Sequence, residues 1–328
     1  MFRPLLASLV PLALAAAASA QSAAVGDTPS YTFNSPLFNG QGVSSLANLH
    51  GKPVLVDFWG THCGPCIGFA VPSAMKLAEE YGDDLAVLMV ECQGAKPDEM
   101  ASFALGQKWL GNGAMWTTER VFNLGLEGIP QSALISPEGE IILAGYTSDI
   151  HGELEDKIAE LVGDARKAPA GAPKSLSKAW QELAAGRYAK ALAAAQAIAG
   201  DPGHADAKAA AETVALFQKR IGAKIDRAAW QAENGYPVQA LASLEKLEAG
   251  LKGGDAELAT RVSGLIASTR ANEKELAAAA ALEKLEEKLY VEGPCEKSQK
   301  KLQELAQKFA GTKSAERAQV LAQLAASA

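Results

Sequence analysis

Cys63 and Cys66, separated by Gly64 and Pro65, are the residues of this chain whose type and spacing best suit them to chemistry. A thiolate, not a thiol, is the nucleophile in disulfide exchange, and a cysteine at a helix N-terminus is favoured as thiolate by free N–H groups and the helix dipole. Cys63 then serves as the attacking sulfur, forming a mixed disulfide with a partner, and Cys66 as the resolving sulfur that releases the reduced partner. Pro65 suits the first helical turn, where its missing N–H would have had no acceptor. Two other readings compete, half of a zinc site and an inert structural disulfide. Zinc asks for two or more further ligands. Cys92 and Cys295 stand alone in different predicted domains, and His50, His62, His151 and His204 show no ligand spacing. The expectation is a redox-active dithiol with no metal and no other cofactor.

The elements that must position this pair follow from periodicity. The apolar runs 53–59 and 85–90 are predicted to be buried strands, and 66–81 between them carries a helical pattern, which makes a β-α-β unit with a parallel strand pair. Ala133 to Ser136 and Glu140 to Ala144 flank Pro137-Glu138-Gly139 and read as an antiparallel hairpin. Cys92 ends a strand and is expected to be a small buried hydrophobe, while Cys295 lies in a Gly-Pro-Cys turn. A disulfide joining Cys92 to Cys295 would clamp two domains together, but nothing in the sequence brings the two close.

The run from Val54 through Trp59 to Cys66 resembles the active-site strand and motif of the thioredoxin-like superfamily, and residues 46–53 are similar to its TlpA/ResA-like branch of exported thiol:disulfide oxidoreductases. Gly128-Ile129-Pro130 followed by a strand matches the segment that carries the family's cis-proline. The resemblance covers about 130 residues, 31 to about 163, and implies a thioredoxin fold, a central mixed sheet flanked by helices. It implies that Asp57 is a buried acid accepting the Cys66 proton, with a pKa raised by burial. It further implies that Pro130 is cis and faces the sulfurs, that the Ile129 backbone pairs with an extended client segment, and that Trp59, His62, Gly64 and Pro65 shape the docking surface. His62 stands where tryptophan commonly precedes the nucleophile, and Gln131 where threonine commonly follows the cis-proline. A protonated His62 would favour the neighbouring thiolate and shift the balance toward oxidant.

Residues 1–20 have the charged, apolar and small-residue zones of a signal peptide, with cleavage expected after Ala20, and no later apolar run is long enough to span a bilayer. Loss of Arg3 with that leader takes the net charge from -7 to -8, which argues against nucleic acid as a partner. The expected organisation is a thioredoxin-like domain over 21–163, a Pro- and Gly-containing linker over 164–178 and an all-α domain over 179–328. Ala179-Trp180-Gln181 with Gly186 recurs as Ala229-Trp230-Gln231 with Gly235, a period near fifty residues that points to helical hairpins resembling tetratricopeptide repeats; a plain helical bundle is the alternative. A third, weaker copy is expected from near Gly293. The expected activity is reduction of protein disulfides in the periplasm or another exported compartment. Expected partners are protein disulfide clients, a membrane electron donor and a further protein on the helical domain. A disulfide oxidase or isomerase, and an interaction protein using the thioredoxin domain for docking, are the alternatives.

Overall fold

Strand β1, Val54–Trp59, is buried along its whole length and forms the centre of a five-stranded sheet. The computed structural model describes residues 21–164 and 171–328; the expected leader, 1–20, lies outside the described residues, as do residues 165–170 of the expected linker. Strands β2 (Ala86–Glu91), β3 (Met115–Thr117), β4 (Gln131–Ile135) and β5 (Ile141–Tyr146) complete the sheet in the order β3-β2-β1-β4-β5. β1 and β2 are parallel, as are β2 and β3, while β4 is antiparallel to both β1 and β5. The β-α-β unit and the hairpin read from the sequence are therefore present. β3 was not foreseen, because three residues are too short a window for alternation to register.

Between β1 and β2 the chain turns at Cys63 into a helix whose first part, Cys66–Ala70, is a wide π-turn, and which continues as α1, Val71–Tyr81. Val71 N–H bonds back to the Cys66 carbonyl, five residues away. Pro72 explains the widening: it has no N–H for Gly68, and its ring would collide with that carbonyl in a regular helix. Helices α2 (Pro97–Gly106) and α3 (Thr147–Asp164) complete the first half.

Among the described residues the second half is built from eight α-helices, α4 (Ser177–Ala184), α5 (Tyr188–Ala199), α6 (Ala207–Glu233), α7 (Pro237–Leu251), α8 (Ala256–Ala271), α9 (Glu273–Glu292), α10 (Glu296–Lys308) and α11 (Lys313–Ser327). Gly186 and Gly235 each take positive φ, 71° and 84°, so the repeated sequence does encode the same glycine-stopped turn before α5 and before α7. The helices ahead of those turns differ, α4 having 8 residues and α6 having 27, so the period does not extend to equal hairpins.

Alternation along β1 feeds two cores. Val54, Val56 and Phe58 pack with Phe33, Leu46 and Leu49 of the N-terminal segment, which covers one face of the sheet. Leu55 and Trp59 pack on the other face with Cys66, Val71 and Met75, and this core continues into Leu282 and Leu289 of α9, Leu302 of α10 and Leu321 of α11. Packing is close here: a Cβ added at Gly111 would come within 3.0 Å of Tyr290 Cβ. Helices α4 to α8 enclose a third core around Trp180, Phe217, Ile225 and Leu244. Arg317 of α11 joins the halves of the bundle, bonding to Glu286 and to the Gly235 carbonyl while lying 3.5 Å from the centre of the Tyr236 ring.

Because Leu289 is 1% exposed and lies in the core that also holds Cys66, Leu289→Ala is expected to cost about 2–5 kcal/mol. Urea unfolding followed by near-ultraviolet circular dichroism checks this. A loss confined to helical signal, with the tryptophan environment of the sheet unchanged, would show that α9 is not part of the core that holds Cys66.

Candidate active site

Cys63 and Cys66 form a disulfide with a Cα–Cα distance of 5.2 Å. The two sulfurs are placed differently by the fold. Cys63 sits where β1 has ended and the helix begins, and its carbonyl accepts the Ile67 N–H at 3.0 Å. Its Sγ accepts the Cys66 N–H at 3.2 Å, so the sulfur takes the place of a capping side-chain oxygen at the helix start. Cys63 retains 7% exposure and Cys66 none, so Cys63 is the member of the pair nearer solvent. Pro65 has φ -62° and ψ -32°, helical values its ring already favours.

Across from the pair, the Ile129–Pro130 bond is cis, and the Ile129 carbonyl oxygen lies 3.8 Å from Cys63 Sγ. Gly64 and His62 are exposed beside the sulfur, and Ile129 and Pro130 are half-buried. These residues, with Pro65, make the rim around Cys63. A cavity of about 290 Å³ opens next to this rim, with Cys92, Gln93, Arg120, Gly128 and Ile129 in its wall.

Trp59 does not belong to the rim. Its exposure is 0%, and it packs edge-on to Trp109 and Trp116 at ring separations of 5.9 and 5.5 Å. The expectation that it shapes a docking surface is corrected: being on the helix-facing side of β1, it supports the motif from the core. The His62 ring has Thr61 Oγ1 as its neighbour, 3.0 Å from Nδ1. Gln131, which follows the cis-proline, turns inward at 7% exposure and donates to the Leu126 carbonyl at 3.0 Å and to the Gly128 carbonyl. It braces the loop ahead of Pro130 and offers little to a client.

Asp57 shares the side of β1 occupied by Leu55 and Trp59, the side on which Cys66 is buried. Its exposure is 1%; Oδ2 accepts the Ser132 hydroxyl at 2.8 Å, and Ser132 Oγ is 2.7 Å from Thr147 Oγ1. Oδ1 is buried without a hydrogen-bond partner among the described residues. Burial pushes the carboxyl up to about 7, against the smaller opposing pull of the Ser132 and Thr147 hydroxyls. Such an acid can take a proton near neutral pH. Neither Ser132 nor Thr147 is legible beside Asp57 in the sequence: Ser132 meets it through the β1–β4 pairing, 75 residues away, and Thr147 joins them from the start of α3.

The two remaining cysteines are free. Cys92 is half-buried rather than fully buried, its thiol 3.4 Å from the Val90 carbonyl and its pKa raised by burial, with Arg120 opposing. Cys295 is exposed and caps α10, its sulfur accepting the Ser298 N–H at 3.4 Å. No bond joins them. Among the described residues, no three His, Cys, Asp or Glu side chains converge as a metal site.

Residues 43–104 match the family model of Thioredoxin. The chain is 45% identical over 56 residues to the thioredoxin-like protein YneN of Bacillus subtilis, covering 17% of this chain and 32% of that one. It is 52% identical over 40 residues to the thioredoxin-like protein slr1139 of Synechocystis, covering 12% and 36%. The chain thus spans about a third of the length of these curated relatives. Among solved structures, a putative thiol:disulfide interchange protein DsbE from Chlorobium tepidum aligns with TM-score 0.33 and 24% identity, over 42% of this chain and 98% of that one. A putative protein disulfide isomerase from Bacteroides thetaiotaomicron aligns with TM-score 0.36 and 20% identity, over 43% and 91%.

The raised pKa of Asp57 links stability to pH. A carboxyl whose folded pKa lies above its unfolded value of 3.8 stabilises fully below that value, and the contribution is lost as pH rises through about 7. Relative to the parent, Asp57→Asn is therefore expected to gain up to about 4 kcal/mol of stability between pH 4 and pH 8, at 1.36 kcal/mol per pKa unit. Urea unfolding of the oxidised protein at both pH values measures it, and a difference independent of pH would mean that Asp57 is not a buried acid. With this acid under the strand, the disulfide at the helix start, the cis-proline across from it and the family match over 43–104, the N-terminal half of the chain is a thioredoxin-fold domain.

Proposed function

We propose that this chain is an exported thiol:disulfide oxidoreductase that reduces protein disulfides through Cys63 and Cys66. The observation that carries the proposal is the asymmetry of the pair: Cys63 keeps some exposure and its Sγ accepts an N–H at the helix start, while Cys66 is fully buried on the same side of the sheet as Asp57. In the reduced protein, Cys63 thiolate attacks one sulfur of a client disulfide. A Cys63–client bond forms, the client disulfide breaks, and the other client sulfur leaves as thiolate. Cys66 then gives its proton to Asp57, and its thiolate attacks Cys63 Sγ. The mixed disulfide breaks, the second client thiolate departs, and the Cys63–Cys66 disulfide closes. Two electrons have passed to the client, and a dithiol donor restores the pair by the same exchange run in reverse. Ile129 and Pro130 border Cys63, and an extended client strand laid along them would bring its disulfide to the sulfur.

The reducing direction rests on the Gly64-Pro65 dipeptide, as in thioredoxin, and export rests on the leader-like residues 1–20. The pair as closed in this structure is also the form that would oxidise a client dithiol, so disulfide oxidase is the second reading, and the reduction potential of the pair decides between them. The helical half would hold a further protein partner, and the electron donor would be membrane-borne. Among the described residues, no helix is long and apolar enough to cross a membrane.

Insulin reduction with dithiothreitol as donor tests the activity. Cys63→Ser is expected to abolish it, and Cys66→Ser to leave client proteins attached to Cys63 as mixed disulfides that dithiothreitol releases. Undiminished insulin reduction by Cys63→Ser would overturn the proposal.

A further inference from the structure

The turn that delivers Cys63, Gly60 to His62, is held from outside its own strand. β1 and β2 run parallel with Trp59 opposite Glu91, and the Cys92 N–H continues the ladder to the Trp59 carbonyl at 2.8 Å. Beyond that point each chain leaves the sheet, and one side chain bridges the two loops. Gln93 Oε1 accepts the His62 N–H at 2.8 Å. Its stem lies against Gly60 so closely that a Cβ there would fall within 2.5 Å of Gln93 Cγ. Gly60 is not at positive φ, so the glycine serves to admit this side chain and not to relieve the backbone.

Gln93 is itself anchored. Its N–H donates to Glu91 Oε1 at 3.0 Å, and Glu91 Oε2 accepts the N–H groups of Gly94 and Ala95 at 3.1 and 3.0 Å. Glu91 is 2% exposed, so its carboxylate works as an internal hub that sets the loop. The hub fixes Gln93, Gln93 fixes His62, and His62 directly precedes Cys63. The position of Cys63 Sγ relative to the Cys66 N–H depends on that turn, because the Cys63 N–H bonds back to the Gly60 carbonyl at 3.1 Å.

We propose that Gln93 is a positioning residue of the redox site, which, lodged against Gly60 and bonded to the His62 N–H, holds the turn that keeps Cys63 Sγ on the Cys66 N–H. The proposal rests on the reading of Cys63 as the attacking thiol. When the tether is lost, the turn samples conformations in which the sulfur leaves the Cys66 N–H, and the thiolate fraction falls. Gln93 is exposed and lies outside the hydrophobic cores, so its truncation spares the fold.

The test is a double-mutant cycle in the full chain carrying Cys66→Ser, reading the pH dependence of Cys63 alkylation by iodoacetamide with residue-resolved mass spectrometry, and amide hydrogen exchange at His62. Gln93→Ala removes the tether, and Gly60→Ala evicts it. Each is expected to slow Cys63 alkylation at pH 7 by about threefold or more and to raise its titration midpoint, with faster His62 exchange. The double variant is expected to be no worse than either single one, since both remove the same contact. Parent-like alkylation and His62 exchange in Gln93→Ala, or losses that multiply in the double variant, would overturn the proposal. Alkylation reads the thiol without any client, so a parent chain inactive on insulin would sink the proposed function and not this inference.

Discussion

The structure depends on one strand being dry on both sides. β1 has neighbours along both edges and cores on both faces, so every residue from Val54 to Trp59 is buried. A strand so confined has one register, since a slip of one residue would exchange the Val54, Val56, Phe58 face with the Leu55, Asp57, Trp59 face. The register places an acid among apolar groups and ends the strand where the helix must begin. Cys63 inherits its position from that ending.

The same dryness sets the chemistry. An aspartate in water is ionised near pH 4, and Asp57 holds its proton to about 7 because the interior cannot solvate its charge. That costs stability at neutral pH and leaves a carboxylate that can take up a proton there. Cys66 is fully buried on that side, whereas Cys63 Sγ accepts the Cys66 N–H at the helix start. The two cysteines differ in surroundings because one meets the helix start and the rim and the other faces the core.

The helical half is not merely appended. Its first five helices enclose their own core, but α9, α10 and α11 close the core behind Trp59, Trp109 and Trp116, with α11 lying along α2. Glu275 of α9 caps α11 by accepting the Lys313 and Ser314 N–H groups at 2.8 Å each, and Arg317 carries the connection back to the turn before α7. The bundle therefore shares one packed core with the face of the sheet on which Cys66 is buried.

The cis-proline was legible only through the family resemblance, whereas local order was sufficient for the Cys-x-x-Cys pair, the β-α-β unit, the hairpin and the helical character of the second half. Each of these is a pattern within a short window, a spacing of two or of three to four residues that secondary structure must obey. Tertiary structure alone decided what lies across space. It brought Ser132 and Thr147 to Asp57, took Trp59 from the rim into the core, left Cys92 and Cys295 unpaired, and set Gln93 against Gly60. It also joined α9 to α11 to the sheet, which a boundary drawn on composition near residue 164 conceals. These contacts link residues tens to more than two hundred positions apart, and an isolated sequence window carries no record of which distant side chain will fill the space beside it.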